Sequence, residues 1–301
     1  MNFQTLKKEL FYTRKAFFTF RQGFKYLRGK YKLAPKIILV NQPLEKPVTN
    51  TNLAIHLLSS HSDLVMLCWS LFSFYTNFQI VGKVYIHDDG TFTNRDYKVL
   101  TRLFPGAKIL DTEKFLANHQ DEISKYPSIL EYRARQTSMI LRKKLIDPYF
   151  VGDESWKLIL DSDVLWFKHP EEIEGAINSM QSKSYMMARP PGMPVRFIDG
   201  TMLSAELAKF NSGIVLYKKL NFNLMRLSDY LNNVDFRDKK NTHFIEQAGY
   251  ASCLDNLVEL PEHNYRVKGN LDEDTVAKHY TSPRRVQLFT EGLPKISEQT
   301  R

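Results

Sequence analysis

The sequence predicts an α/β protein: a mostly parallel sheet flanked by helices, with a basic amphipathic helix ahead of it. Three observations carry this reading. After Pro35, short β-type runs alternate with helical stretches, the pattern of parallel strands joined by crossover helices. Two of the runs, Lys83–His87 (KVYIH) and Trp156–Leu160 (WKLIL), have strand composition, the second that of a buried strand. The charge is also divided. The 301 residues hold 42 Lys+Arg and 33 Asp+Glu, formally +9, yet residues 1–36 alone hold ten bases and one acid. The remainder, with 32 of each, is neutral, so the excess argues for a surface address and against nucleic acid as a partner.

In residues 1–36, Phe3, Leu6, Leu10, Phe17, Phe20, Phe24 and Leu27 recur at spacings of three, four or seven, predicting one helix over Phe3–Leu27 with an aromatic stripe. Such a helix lies on an anionic membrane or packs its stripe on the body of the protein or on a partner. Residues 37–301 read as a single catalytic domain. Within it Ile37–Val40, Leu53–Leu58 and Ala107–Leu110 are further expected strands, and Ser62–Tyr75, Asn94–Phe104 and Ser128–Ile146 expected helices. The last of these leads through Asp147-Pro148 and a Gly-Asp-Glu-Ser turn into WKLIL. Arg189–Pro194 (RPPGMP) is expected as a loop.

Cys68 and Cys253 are the only cysteines, both in apolar surroundings, so buried thiols and a reducing cytosol are expected rather than a disulfide framework. No secretory signal is read before the folded part. Leu64–Gly82 has no charge and nearly the length of a membrane span, but Ser70, Ser73, Thr76, Asn77 and Gln79 favour a buried helix running into a strand.

The sharpest chemical feature is Asp161-Ser162-Asp163, directly after WKLIL and before Val164-Leu165-Trp166-Phe167. Two carboxylates at the end of a buried strand repel and lose hydration unless a cation compensates. Mg²⁺ or Mn²⁺ is the natural compensation, taking carboxylate oxygens and leaving positions for substrate phosphates. That strand end is also where ligands bind in open α/β sheets. Acids after strands are common as helix caps, so the pair alone is weak.

The run LILDSDVLWFKHPEEI resembles the metal-binding segment of the GT-A nucleotide-sugar glycosyltransferases. Three more segments are similar to that family in the expected order: Phe210–Leu216 (FNSGIVL), His243–Gln247 (HFIEQ) and Lys278–Arg285 (KHYTSPRR). The resemblance implies a GT-A, Rossmann-like nucleotide-diphospho-sugar transferase fold. It further implies that Asp161 and Asp163 bind the metal and donor, that His279 completes the metal shell, and that Arg285 meets the diphosphate where the family has Lys. Arg keeps the charge but changes the geometry. Ser282 departs from the family Gly and puts loop closure over the diphosphate in question.

Glu246 stands where the family has an acid near the anomeric carbon, as a general base or an oxocarbenium-stabilising carboxylate; an acid favoured by a helix N-terminus is the simpler alternative. Asn211 would bind donor sugar or acceptor, or form a strand-end turn with Gly213. Asp89, in Asp88-Asp89-Gly90, would meet the nucleotide, although that tripeptide is good turn chemistry by itself. Among the bases of Ser128–Ile146 (Arg133, Arg135, Arg142, Lys143 and Lys144), Arg142 best matches the family Arg directed at the diphosphate, with Arg135 its rival. His279 could also be a strand-end His satisfied by a backbone carbonyl.

The function implied is metal-dependent transfer of a sugar, from a UDP-sugar first among nucleoside-diphosphate sugars, to a hydroxyl acceptor, with lipid-linked or polysaccharide acceptors in view if residues 1–36 bind an anionic membrane. The location would be cytoplasmic, peripheral on the inner face of the cell membrane. The alternatives are a haloacid-dehalogenase-type phosphohydrolase, which shares an Asp-x-Asp after a strand, and a non-enzymatic membrane-binding module.

Overall fold

The computed structural model describes residues 3–135, 141–179, 181–192, 195–238, 241 and 244–298. Two helices precede the sheet, α1 (Phe3–Arg14) and α2 (Gly23–Arg28). α1 runs on through a π turn at Lys15–Thr19, and the helix then breaks around Arg21, whose φ is 53°. A Cβ on Gly23 would lie 2.4 Å from the Phe17 ring, so glycine lets that ring lie against the break. The single helix expected over Phe3–Leu27 is therefore divided. Most of its stripe faces outward: Leu6, Leu10, Phe17 and Phe24 are exposed and Phe20 and Leu27 partly buried, while Tyr12, Ala16 and Tyr26 are the residues buried on the core. The side chain of Phe3 lies outside what is described. Tyr12 and Ala16 lie on the side of α1 that the stripe leaves out, and beyond Arg14 the π turn and the break end the uniform 3.6-residue period that the stripe assumed.

A second π turn (Gly29–Leu33) leads into a 3-10 segment, Ala34–Leu39, where a strand was expected at Ile37–Val40. Pro35 in its first turn has the φ a helix needs, and Ile37 is spent as a buried anchor on the core.

The αβ alternation then follows as β1 (Val48–Ser59), α3 (Leu64–Asn77), β2 (Ile80–Asp88), α4 (Asn94–Leu103), β3 (Lys108–Asp111), α5 (Phe115–Ile123), α6 (Pro127–Ala134), α7 (Leu141–Phe150), β4 (Trp156–Asp161) and β5 (Val164–Trp166). The charge-free stretch is the buried helix α3 running into β2, and no helix among the described residues is long and apolar enough to cross a membrane. Next come α8 (Glu171–Asn178), β6 (Ser184–Ala188), α9 (Ala205–Ala208), β7 (Phe210–Lys218), α10 (Leu224–Asn233), α11 (Ile245–Cys253), β8 (Leu257–Glu259), β9 (Tyr265–Arg266) and β10 (Ala277–His279).

The main sheet runs β3-β2-β1-β4-β7-β6-β8, and a smaller one β5-β10-β9. β1 is parallel to β2 and β4, β2 to β3 and β6 to β8, whereas β7 is antiparallel to both its neighbours. Alternation splits the core between the faces: Leu158, Leu160, Ile214 and Leu216 join the cluster that holds α3, Tyr12 and Tyr26, while Ile159, Val215 and Tyr217 join α10 and α11. Cys68 and Cys253 are both free and buried.

The helix expected over Ser128–Ile146 comprises α6 and α7, with residues 136–140 outside the described set. α7 continues across Asp147-Pro148, where a loop was expected. Pro148 cannot donate to the carbonyl of Lys144, and the hydroxyl of Tyr250 donates to it instead at 2.5 Å. The helix tolerates the proline because a buried tyrosine replaces the lost bond.

Candidate active site

β4 is buried up to its last residue, so Asp161 leaves the core at a defined point. A two-residue turn carries Asp163, and β5 follows. β5 pairs antiparallel with β10, setting Val164 opposite His279, and the Tyr280 N–H donates to the Asp163 carbonyl at 2.9 Å. This register brings a histidine from more than 100 residues away to the acids. His279 Nε2 lies 3.2 Å from Asp161 Oδ2 and 3.2 Å from Asp163 Oδ1.

The antiparallel pairing of β7 with β4 sets Ile214 opposite Leu160, so Asn211, Ser212 and Gly213 arrive beside Asp161. The oxygen Oδ1 of Asn211 accepts the Gly213 N–H at 3.0 Å and also meets His279 Nδ1 at 2.7 Å. An amide oxygen only accepts, so Nδ1 carries the proton and Nε2 is the nitrogen turned to the carboxylates. A Cβ on residue 213 would stand 2.3 Å from His279 Nδ1; only glycine lets the ring approach this closely.

From α7, the buried Lys144 Nζ reaches Asp161 Oδ1 at 2.7 Å, Glu246 Oε1 at 3.2 Å and the Ser212 carbonyl at 2.7 Å. Burial pushes this amine down, but Asp161 and Glu246 together outweigh it and hold the amine above its ordinary value. Glu246, in the first turn of α11, accepts the Ser212 hydroxyl at 2.7 Å; burial pushes its carboxyl up despite Lys144. Arg285 Nε donates to Asp163 Oδ2 at 2.9 Å, and its Nη1 donates to Asp63 at 3.1 Å. Burial works against the Asp163 charge, yet Arg285 and His279 hold its carboxyl well below the usual range.

These groups line one cleft of about 470 Å³ together with Ser59 and Ser60 at the end of β1, and Gln247. Six of the expected residues meet there: Asp161, Asp163, Asn211, Glu246, His279 and Arg285. Two do not. Asp89 is outside the cleft, its Oδ1 accepting the N–H and hydroxyl of Thr91 in a turn. Arg142 is also outside; its Nε donates to the Arg133 carbonyl at 3.0 Å. Leu141 and Lys144, three apart on α7, face the cleft, and residue 142 is turned away from them. Arg135 pairs with Glu131 and covers the Phe236 ring. Lys144 therefore reaches the cleft where Arg142 was expected to; its spacing from Leu141 was the available signal. Asp63, also missed, ends the 3-10 turn His61–Asp63 after β1 and is readable only as a helix-start acid. His243 of the HFIEQ segment and residues 193–194 of the expected loop lie outside the described residues.

The chemistry of the donor set fits a hard divalent cation. One ligand atom each from Asp161, Asp163 and His279 falls within 4.8 Å of the others, and the His279 ring is anchored through its second nitrogen.

No protein-family model matches the chain, and no curated protein does. Among solved structures it is similar to an active-site mutant of LgtC, with 13% identity over 82% of this chain and 95% of that one, at a TM-score of 0.51. The chain has the GT-A glycosyltransferase fold. Mouse xyloside xylosyltransferase 1 in its apo form is similar at 11% identity, 79% of this chain and 99% of that one, TM-score 0.49. The bifunctional glycosyltransferase WbbM is similar at 11% identity and TM-score 0.49 over 80% of this chain, which spans about half of WbbM, 47%. In this GT-A chain, the cleft opens where β1 and β4 end and β7 begins.

Proposed function

We propose that the protein is a metal-dependent glycosyltransferase moving a sugar from a nucleoside-diphosphate sugar, a UDP-sugar in the first instance, to a hydroxyl acceptor. The observation that carries this is the convergence of Asp161, Asp163 and His279 with two cations, the buried Lys144 and the partly buried Arg285, in one cleft of a GT-A fold. LgtC, which shares the fold, is a galactosyltransferase.

In the reaction the bond from the anomeric carbon to the diphosphate breaks, a bond to the acceptor oxygen forms, and the acceptor proton departs. Bound Mn²⁺ or Mg²⁺ would supply neutralisation of the charge that builds on the diphosphate. Arg285 presents a guanidinium already oriented by Asp63 and Asp163, with one N–H left on each of Nη1 and Nη2 for a phosphate oxygen. Lys144, itself buried, keeps the partly solvated Asp161 and the buried Glu246 together, and fixed charges act strongly at its end of the cleft. Glu246, held by Ser212 and Lys144, is the carboxylate for the reacting carbon, as base or as oxocarbenium stabiliser. Asn211 fixes the His279 ring. The GT-A fold argues against the phosphohydrolase alternative. Attachment of residues 1–36 to an anionic membrane on the cytoplasmic side would favour lipid-linked or polysaccharide acceptors.

Thermal stabilisation by UDP-, GDP- and CDP-sugars with Mn²⁺ tests the reading. A ligand at about 100 times its Kd adds about 2.7 kcal/mol to the native state, a shift of several degrees. Stabilisation by a UDP-sugar, dependent on Mn²⁺, is expected; no stabilisation by any of the three would overturn the proposal.

A further inference from the structure

Every exposed large aromatic side chain among the described residues lies in one short segment: Phe11, Phe17, Phe18, Phe24 and Tyr31. Phe18 and Phe24 are 78% and 82% exposed, and Leu10 is 61% exposed. On α1 and its π turn, Tyr12 and Ala16 point to the core, while Leu10, Phe11 and Phe18 lie on the opposite side with Lys7 and Arg14 between them. Phe24 of α2 meets Phe17 with ring centroids 5.7 Å apart. The segment's one acid, Glu9, is bonded to Lys30 and to the Tyr31 hydroxyl, so the charge left on the outer face is positive. Apolar rings set among bases, with the one acid occupied, match an anionic lipid surface, where the rings enter the headgroup layer and the bases meet the phosphates.

The inner side of the same helix forms the rim of the cleft. The Tyr12 hydroxyl is 3.0 Å from Ser282 Oγ, and Lys8 Nζ is 3.8 Å from Asp63. Ser282 and Asp63 both line the cleft. One helix, about 10 Å thick with its side chains, therefore separates the outer face from the candidate donor site.

We propose that the outer face of residues 6–28 docks on an anionic bilayer through Leu10, Phe11, Phe18 and Phe24, holding the cleft at the membrane surface. The docking stands independently of sugar transfer. Its consequence, that the acceptor hydroxyl belongs to a membrane-borne molecule, rests on the transferase reading.

The test is co-sedimentation of the full chain with vesicles of phosphatidylcholine alone and with about one-third phosphatidylglycerol added. Expected is at least about tenfold stronger partition onto the anionic vesicles, weakened by salt, and a loss of about tenfold in the Phe18→Ser/Phe24→Ser variant. A second readout uses Phe18→Trp. Trp69, Trp156 and Trp166 are all buried, so the added indole reports its own surroundings, and its emission should shift to the blue on anionic vesicles. Met225→Trp, at an exposed site on α10, should not shift. Equal partition onto both vesicle types, no partition, or self-association of the wild type that the double variant abolishes would overturn the proposal; the last would assign this face to a second copy of the chain. Because neither readout uses a donor sugar, failure here is separable from failure of the UDP-sugar stabilisation.

Discussion

Lys144 Nζ lies 2.7 Å from Asp161 Oδ1, and the amine is sealed from solvent at the point where α7 passes the end of β4. The ion pair joins the helix that supplies a cation to the strand that supplies the first acid of the Asp-x-Asp. Glu246 shares the same amine at 3.2 Å.

Lys144→Met leaves Asp161 and Glu246 facing each other without a cation. Breaking a buried pair from one side costs about 3–5 kcal/mol, and the lower end applies because Asp161 is partly solvated. Urea unfolding should show a loss of about 3 kcal/mol, and sugar transfer should fall to background. Unchanged stability would mean that the pair does not form in solution.

Asp163→Asn removes a carboxylate from the proposed metal site and keeps the shape of the side chain. Far-UV circular dichroism should be unchanged, while the Mn²⁺-dependent thermal shift with UDP-sugar disappears. EDTA should reduce the wild type to the same level, and wild-type turnover in the variant would remove the metal from the mechanism.

Asn211→Ala and Gly213→Ala act on the orientation of His279 without touching the acids. Loss of an outer hydrogen bond to a metal-binding histidine typically costs 10–100-fold in affinity, and calorimetric Mn²⁺ titration of Asn211→Ala should show a weakening of about that size. In Gly213→Ala the new methyl meets His279 Nδ1, so the same titration should show a comparable or greater loss.

His87 is buried beside His56, with Nε2 2.9 Å from His56 Nδ1. Burial first, then Arg133 and Lys157, pushes its imidazole from 6.5 down to about 3. Between those values the unfolded chain binds the proton and the folded one does not. Its contribution is therefore fully present above 6.5 and is lost as pH falls towards 3. Between pH 7 and 5 this amounts to about 2 kcal/mol. His87→Gln should unfold in urea with a shallower loss of stability over that interval, and an equal slope in both proteins would show that His87 does not titrate there.

The parts of the site legible in the sequence are those set by covalent spacing. Asp161 and Asp163 are two residues apart at the end of WKLIL, so whatever the packing, that strand had to deliver both to one place. Glu246, Asn211, His279 and Arg285 were readable through the order of four segments, which says that they belong together but not how they touch. Arg142 and Lys144 differ by two positions, about 200° around a helix, and only the packing of α7 against the cleft put Lys144 inside. Asp89 lies outside the cleft for a local reason, the turn bonds to Thr91 that Asp-Asp-Gly already offered.

The sequence by itself determined the alternating elements, the buried strand that ends in the acids, and the concentration of positive charge in residues 1–36, because periodicity and composition are local. Tertiary structure alone decided that β7 enters antiparallel, that α7 survives Pro148 through the Tyr250 hydroxyl, and that the outward face of α1 and α2 adds Phe11 and Phe18 to only part of the stripe that the spacing implied. Each of these turns on a partner distant in the chain. A carbonyl, a helix face or a carboxylate takes its role from what packs against it, and the chain order does not say what that will be.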